Sequence, residues 1–494
     1  MKKISIKGAS WDSAFLAASK VLTLLFSILS AKILSTGLSL GEYGTYSQVN
    51  IITSVGTSLI LLGLGDALNF FYNNNSLETS EDERFRTINT IFFIETLVGV
   101  IYLVMIVFGS GVFVEYFGNH EIKRLLPMAA VLPMLSNIIY FYNVLCVSVG
   151  RAKIMSFLSI ITTVIKIIFT YMAVYVFHDL LWIYVVLVAL ELMQLLFFYI
   201  MMKKKGICIN VFKVSINKIK PILSYGLPMG VYAITSAFSR EMDKLVVGRL
   251  SGTENLAIYS NCSKILPFDF LVTSFAVVLI PYIVKYFTEK NKERSVMLFS
   301  SYLRVGYYSV WILGTMVLIA PKTMISFLYA DKYIEGFGIF IIYIFDSMLR
   351  FASMHLILTS AGKTKRLMYY SVLSLILNLV LNIAFYKLFG LIGPAVATLL
   401  VSGIYTFVIL NDSIKLLNAG WREVFNIKEI MTLIITIAVM WIFSSLINNL
   451  LCECGIHKYI AMIISMAVFG LVMLAVHFKR ISIVLKDINT FRIK

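Results

Sequence analysis

The chain has 494 residues, of which 59% are hydrophobic and only 14% are charged, and its formal net charge at pH 7 is +17. Soluble domains usually carry about 25% charged residues, so this composition excludes an ordinary water-soluble globular protein. The excess of Lys and Arg is typical of loops beside a membrane surface rather than of a face that binds nucleic acid. The five cysteines form no framework, and we predict neither a disulfide-rich module nor a metal site from them.

Apolar stretches long enough to cross a bilayer recur along the whole chain. A helix needs about 20 apolar residues to span a hydrocarbon core of about 30 Å. The sequence predicts fourteen such helices, at residues 11–34, 43–65, 87–108, 125–149, 154–177, 180–202, 222–247, 265–284, 298–320, 337–360, 367–389, 391–411, 427–447 and 459–477. Because the connections are short, we predict an all-α membrane protein with 14 transmembrane helices and no separate soluble domain.

Lys and Arg are distributed unevenly between alternate loops. If the N-terminus is cytoplasmic, the basic leader MKKISIKGAS, the inner loops and the tail carry 28 of them, and the outer loops carry 8. The largest inner group lies in KKKGICINVFKVSINKIK (203–220). By the positive-inside rule we predict a multi-pass protein of the inner (cytoplasmic) cell membrane with both termini in the cytoplasm.

The hexapeptide SAGKTK (360–365) contains Gly-Lys-Thr, the three residues that end a phosphate-binding loop. That loop also needs a glycine five residues before Gly362, and Ile357 stands there instead. The hexapeptide is instead similar to SVGRAK (148–153), 212 residues earlier. We therefore interpret both as basic turns at helix ends and predict no nucleotide site.

Two further pairs of segments share nearly the same offset. GTYS (44–47) matches AIYS (257–260) at an offset of 213, and AKILS (31–35) matches VGRLS (247–251) at an offset of 216. Such a period contains six spans, so both copies enter the membrane in the same direction. The sequence thus predicts two parallel six-helix lobes around a central cavity, plus two extra C-terminal helices.

The repeat also predicts the domain boundaries. They are an N-terminal lobe (1–205), a basic cytoplasmic linker (206–220), a C-terminal lobe (221–415), and two additional helices with a basic tail (416–494). On superposition of the two lobes, Gly150 is expected near Gly362, and Tyr46 near Tyr259.

Several ionisable side chains fall inside the predicted spans, where each costs about 2.5–3.5 kcal/mol on insertion scales. The cations that we expect to line a hydrated cavity and bind an anionic substrate are Lys166, Arg240, Lys244, Arg350 and Lys20. The acids that are candidates for relaying a coupling cation are Glu95, Glu191, Asp346 and Asp243. Lys166 has no acid within a helical turn along the chain, which favours a hydrated position.

A structural interpretation of the same charges stays open. Asp346 and Arg350 are four residues apart on one predicted helix, so they could simply neutralise each other. The segment SREMDK (239–244) is formally neutral and is equally compatible with an ion-pair network. The histidines are scattered and no catalytic constellation is recognisable, so we predict a protein that is not an enzyme and uses no cofactor or metal.

Residues 225–265, YGLPMGVYAITSAFSREMDKLVVGRLSGTENLAIYSNCSKI, resemble the polysaccharide flippase family of the multidrug/oligosaccharidyl-lipid/polysaccharide exporter superfamily. The segment LGEYGTYS (40–47) is similar to the start of that family. The positions of the longer segment that match the family pattern are Tyr225, Gly226, Leu227, Pro228, Asp243, Lys244, Gly248, Ala257, Tyr259 and Ser260. Ala257 departs from the glycine that is commoner there.

The resemblance implies two V-shaped lobes and a flippase for polysaccharide export. Such a protein moves lipid-linked (undecaprenyl-pyrophosphate) oligosaccharide from the inner to the outer leaflet by alternating access. The implied partners are that lipid-linked oligosaccharide, membrane lipids and polysaccharide polymerase machinery, with no nucleic acid and no nucleotide. The alternatives are a multidrug/cation antiporter of the same fold, a lipid II flippase and, from another class, a polytopic polysaccharide polymerase. A polymerase would usually carry a large outer loop, and every outer loop here is short.

Overall fold

Helices make up the regular structure of this computed structural model, and no strand occurs among the residues that it describes. Those residues are 22–23, 25–73, 81–148, 152–204, 209–210, 213–264, 266, 268, 272, 282–283, 285–287, 289 and 291–493. The chain divides into two compact units, Met1–Ala257 and Ile258–Lys494.

The first unit contains ten helices within the described ranges. They are α1 (Leu25–Gly37), α2 (Leu40–Leu61), α3 (Leu64–Asn73), α4 (Glu81–Phe108), α5 (Ser110–Phe117), α6 (Glu121–Ala129), α7 (Val131–Ser148), α8 (Ala152–Tyr175), α9 (Leu180–Lys203) and α10 (Ile216–Leu250). Helix α11 (Gly252–Cys262) then carries the chain into the second unit.

The second unit continues with nine helices after its incompletely described start. They are α12 (Lys292–Val317), α13 (Pro321–Leu328), α14 (Phe337–Leu349), α15 (Leu356–Ser360), α16 (Thr364–Phe389), α17 (Gly393–Leu416), α18 (Trp421–Val424), α19 (Ile427–Glu453) and α20 (Lys458–Ile493). Short 3-10 turns precede α14 and α17.

Local sequence explains where several helices begin. Ser39 and Glu42 form a capping box at the start of α2, which satisfies backbone N–H groups that have no partner within the helix. Asp179 accepts a hydrogen bond from the backbone N–H of Leu181 and so caps α9. The carboxylate of Asp179 also forms an ion pair with Arg124 on α6, at 2.9 Å.

The hydropathy of these helices is that of a multi-pass membrane protein. Seven helical segments of the described chain are long and apolar enough to span a bilayer, or eight if the bent pair α12–α13 counts as one span. One of the seven, Thr364–Leu416, contains both α16 and α17. The predicted fourteen spans are consistent with this fold, while the exact count stays a prediction, because much of 11–34 and 265–284 lies outside the described residues.

Helix α10 packs on α2 and α3 in the first unit. The contact is close because Gly63, at φ 70° between α2 and α3, lies against the backbone of Gly226. A Cβ atom at Gly63 would lie 2.2 Å from the Gly226 carbonyl oxygen, which only glycine avoids. The compact unit therefore extends beyond the predicted linker, and the predicted lobe boundaries stay a prediction.

Candidate functional site

In the first unit, one acid, one serine and one cation from the predicted spans come together. The hydroxyl of Ser136 on α7 donates to Oε1 of Glu191 on α9 at 2.7 Å. Lys166 on α8 lies near enough for its charge to interact with that of Glu191. The other oxygen of Glu191, Oε2, is buried without a hydrogen-bond partner among the described residues. The sequence placed no acid near Lys166, and the tertiary fold supplies one from the next helix.

Lys166 is an exposed residue with no ion pair within 4 Å in the described part of the chain. It lies in the middle of the candidate span Phe157–Tyr175. A cation at this depth requires either hydration or a ligand, since hydrocarbon solvates it poorly. The binding of an anion by this amine stays a prediction.

Glu95 on α4 is a second buried candidate acid of the first unit, in addition to Asp243. It is 2% exposed, and its Oε1 atom has no hydrogen-bond partner among the described residues. Its neighbours in the chain, Ile91 and Ile94, belong to a buried apolar cluster.

The charged segment of α10 is partly an ion-pair network. Nζ of Lys244 lies 2.9 Å from Oε2 of Glu241, and it also donates to the carbonyl of Arg240 at 3.1 Å. Glu241 accepts from Ser54 on α2 at 3.3 Å. Buried Asp243 accepts from the backbone N–H of Lys244 at 2.8 Å. The exposed guanidinium of Arg240 makes no ion pair within the described residues, so it is the freer of these two cations.

In the second unit, Asp346, Arg350 and Ser402 form a closed cluster. Asp346 on α14 is 1% exposed. Its Oδ2 accepts from Nη2 of Arg350, and its Oδ1 accepts from the hydroxyl of Ser402 on α17. The Arg350 side chain is 35% exposed, and its Nε is buried without a partner among the described residues. The ion pair that the i,i+4 spacing allows thus forms, and the Nε–H group of Arg350 remains without a hydrogen-bond partner among the described residues.

This cluster lies where the predicted span 337–360 is broken. Helix α14 ends at Leu349, and α15 begins only at Leu356. Three side chains of neighbouring helices satisfy backbone groups around the break: Trp311 donates to Met348 O at 2.8 Å, Tyr302 accepts from Ser353 N at 2.8 Å, and Ser413 donates to Met354 O at 3.1 Å. Irregular backbone at membrane depth is tolerated only where protein or water satisfies it. The break is therefore stabilised by side chains of the neighbouring helices.

A second buried ion pair in this unit was not among the predicted site residues. Arg304 on α12 forms an ion pair with Glu429 on α19. The pair therefore links α12 to the first of the two C-terminal helices, α19 and α20. A cavity of about 560 Å³ lies beside it and is lined partly by Lys292, Ser300 and Glu423. Lys292 and Glu423 pair across this lining at 3.2 Å, so its charges are already matched.

The structure pairs two of the predicted cations directly with acids, Lys244 with Glu241 and Arg350 with Asp346. Lys166 interacts with Glu191 without an ion pair within 4 Å, Arg240 makes no ion pair within the described residues, and Lys20 lies outside them. Ser136 and Ser402 are members of these clusters that the sequence analysis did not find. Among the described residues, no group of three or more His, Cys, Asp or Glu side chains is arranged to hold a metal ion.

Comparison with known proteins assigns the chain to a family. A family model described as "Polysaccharide biosynthesis protein" matches residues 33–337, which is more than half of the chain. No curated protein matches the chain in sequence.

Three solved structures share the fold at low sequence identity. The lipid II flippase MurJ, in an inward closed conformation, has a TM-score of 0.69 and 14% identity, with 94% of this chain and 99% of that chain covered. An inward-facing multidrug resistance MATE family transporter of the MOP superfamily has a TM-score of 0.68 and 11% identity, covering 80% and 94%. A MOP superfamily transporter from Pyrococcus furiosus has a TM-score of 0.62 and 10% identity, covering 82% and 94%.

These findings confirm the predicted all-α transporter fold and the resemblance stated from the motifs. The chain belongs to the polysaccharide biosynthesis protein family, with the fold of the MOP superfamily of transporters.

Proposed function

We propose that this protein is a flippase that moves undecaprenyl-pyrophosphate-linked oligosaccharide from the inner to the outer leaflet of the cytoplasmic membrane by alternating access. Membership of a polysaccharide biosynthesis family supports a glycan as part of the transported molecule. The fold shared with a lipid II flippase supports a lipid-linked cargo. In this proposal the protein carries out transport and no chemical conversion, and its partners are the lipid-linked oligosaccharide, membrane lipids and polysaccharide polymerase machinery.

The observation that carries the proposal is Lys166. It is a mid-span cation that is exposed and makes no ion pair within the described residues. Phosphate groups are bound by Lys and Arg through charge-assisted hydrogen bonds, so a diphosphate headgroup is a matching ligand. Arg350, Arg240, Lys244 and Lys20 are the further cations that we assign to the substrate.

The proposal is tested by flipping of undecaprenyl-pyrophosphate oligosaccharide in proteoliposomes. Lys166→Gln should reduce the rate by at least about tenfold, because one charge-assisted contact is lost, whereas Lys166→Arg should retain most of it. Lys363→Gln is the matched control, since Lys363 lies at the turn before α16 and outside the spans. Wild-type rates for Lys166→Gln, Arg240→Gln and Lys244→Gln at native expression would refute the cationic site.

The proposed orientation has native reporters. Cys452 and Cys454 are exposed near the turn between α19 and α20, which we place outside the cell, and Cys208 lies in the basic inner loop 203–220. An impermeant maleimide added to intact cells should label a variant that keeps Cys452 alone and spare one that keeps Cys208 alone. The reverse pattern would invert the topology.

A multidrug/cation antiporter is the second candidate function. It is favoured by the fold shared with a MATE family transporter and by buried acids, Glu95 above all. Glu95→Gln should then abolish proton- or sodium-driven drug efflux, and the wild-type protein should confer drug resistance on a sensitive strain. Lack of any efflux from a strain in which flipping is measurable would dismiss this candidate.

A further inference from the structure

In one cation cluster of each unit, a serine hydroxyl from another helix donates a hydrogen bond to the acid. In the first unit, Ser136 donates to Oε1 of Glu191 at 2.7 Å. In the second unit, Ser402 donates to Oδ1 of Asp346, and Arg350 takes the other oxygen of the same carboxylate. Each bond joins two different helices, so each hydroxyl fixes the rotation of a carboxylate that has few other partners.

The two bonds join equivalent helices of the predicted repeat, but with the two residue types exchanged. At an offset of 212 residues, α7 corresponds to the region of α14, and α9 corresponds to that of α17. The serine is on α7 and the acid on α9 in the first unit, whereas the acid is on α14 and the serine on α17 in the second. A serine–carboxylate bond therefore recurs between the same two helices although neither residue is repeated.

A carboxylate fixed in this way determines where its cation sits. A charged group in a low-dielectric interior moves toward its counter-ion unless other bonds restrain the pair. Arg350 contacts Asp346 directly while its Nε is left over, and Lys166 interacts with Glu191 over a longer distance. Rotation of either carboxylate would therefore move the N–H groups of Lys166 or Arg350 that are not bonded to the acid and that could bind an anion.

We propose that Ser136 and Ser402 are positioning residues for substrate binding. In the first unit, Ser136 fixes Glu191 and so holds Lys166 in a geometry that accepts a phosphate group of the lipid-linked cargo. In the second unit, Ser402 does the same for Arg350 through Asp346. This inference rests on the proposed flippase function, since it concerns the same cations, and it assigns a role to two neutral side chains outside the predicted site.

The test measures the initial flipping rate of undecaprenyl-pyrophosphate oligosaccharide in proteoliposomes against the mole fraction of that lipid. Ser136→Ala and Ser402→Ala should each raise the half-saturating fraction by about tenfold, the usual scale for a hydrogen bond to a charged group, and change the maximal rate by less than about twofold. The Thr variants, which keep the hydroxyl, should restore most of the loss. Ser47→Ala and Ser309→Ala are matched controls, because both hydroxyls bond only to carbonyls of their own helix.

A double variant isolates the path through the acid. If Ser402 acts only by orienting Asp346, Ser402→Ala should add no further change to an Asp346→Asn protein. An additive change would overturn the inference, as would a loss of maximal rate or thermal stability at an unchanged half-saturating fraction.

The remaining outcomes separate the two levels of the proposal. Wild-type saturation curves for both serine variants, with flipping lost in Lys166→Gln and Arg350→Gln, would overturn the positioning role and leave the proposed function standing. Wild-type flipping by Lys166→Gln and Arg350→Gln would overturn both.

Discussion

The two serine–acid–cation clusters differ in how tightly they are closed. In the second unit, Asp346 has a donor on each oxygen and contacts Arg350 directly. In the first unit, Glu191 has a donor on one oxygen only, and no ion pair within 4 Å ties Lys166 among the described residues. The open pair leaves the Lys166 amine without an ion-pair partner among the described residues, whereas the closed pair leaves Arg350 only those donors that Asp346 does not take.

The difference has a structural origin in the helix that carries the cation. Lys166 belongs to α8, and the position 212 residues later is Asn378, a buried amide bonded to Asn382 on the same helix. The second unit instead places its cation, Arg350, at the end of α14, where the span is broken. Arg350 reaches the acid one turn back on its own helix, at i,i+4 spacing. The two cations therefore come from helices that are not equivalent in the predicted repeat, and this gives them different constraints.

Replacing Asp346 should have the largest effect on stability. Asp346→Asn removes the charge that neutralises Arg350, and loss of one partner of a buried pair costs about 3 kcal/mol. We expect a lower unfolding midpoint in a denaturant titration of the detergent-solubilised protein. Arg350→Met, which leaves the buried Asp346 carboxylate without its cation, should give a loss of similar size. An Asp346→Asn protein as stable as the wild type would mean that the cluster is not closed.

The support of the break should come next. Trp311→Phe keeps an aromatic ring but removes the Nε1 donor to Met348 O. A buried carbonyl that loses its hydrogen bond costs about 1–3 kcal/mol. Faster hydrogen exchange around 348–355, with no change in α7, would sharpen the contrast between the broken and the continuous helix. Unchanged exchange would show that the break needs no support from α12.

A smaller effect is expected from Glu191. Glu191→Gln keeps the acceptor for Ser136, and Lys166 has no direct contact to lose. The free energy of unfolding should therefore change by less than about 1 kcal/mol, since the hydrogen bond is retained. The denaturant titration used for Asp346→Asn makes the comparison directly. Equal costs for the two acids would contradict the open state of the first cluster.

The smallest effect should come from the loop pair Arg124–Asp179 outside the spans. Partial burial raises the pKa of Asp179, but the Leu181 N–H and the Arg124 guanidinium outweigh this, so that its pKa lies below the usual range. Because the folded-state pKa is lowered, the pair stabilises the protein above the unfolded-state pKa and is lost as the pH falls through the folded-state value.

Arg124→Gln should accordingly cost less than about 1 kcal/mol at pH 7, since exposed pairs contribute little. The difference from the wild type should begin to shrink as the pH falls below about 4, the ordinary Asp value, and vanish only below the lowered folded-state pKa. Thermal unfolding in detergent at both pH values checks this. If the stability difference between the wild type and Arg124→Gln grew on acidification, the prediction that the pair stabilises the protein through a lowered Asp179 pKa would be wrong.

The sequence by itself determined the class, the helical architecture and the family of this protein. Hydropathy and length predict helices because each span satisfies its own backbone hydrogen bonds, which makes the signal local. The motifs of 225–265 led to a polysaccharide family, which the family match confirms, and to a fold that the solved structures share. The charged residues of the spans were also readable, because a charge in an apolar run is conspicuous. The i,i+4 spacing of Asp346 and Arg350 offered their pairing as one open interpretation, and this ion pair forms.

Only the tertiary structure decided which partners those charges meet. Ser136 lies 55 residues from Glu191, and Ser402 lies 56 residues from Asp346, so no local pattern connects them. The break at 350–355 has no signal in the sequence either, since RFASMH contains neither Gly nor Pro. It exists because Tyr302, Trp311 and Ser413, on other helices, replace the missing backbone hydrogen bonds. Hydropathy determines that a segment enters the membrane, whereas side chains from distant helices determine its shape there and the charges that it leaves free.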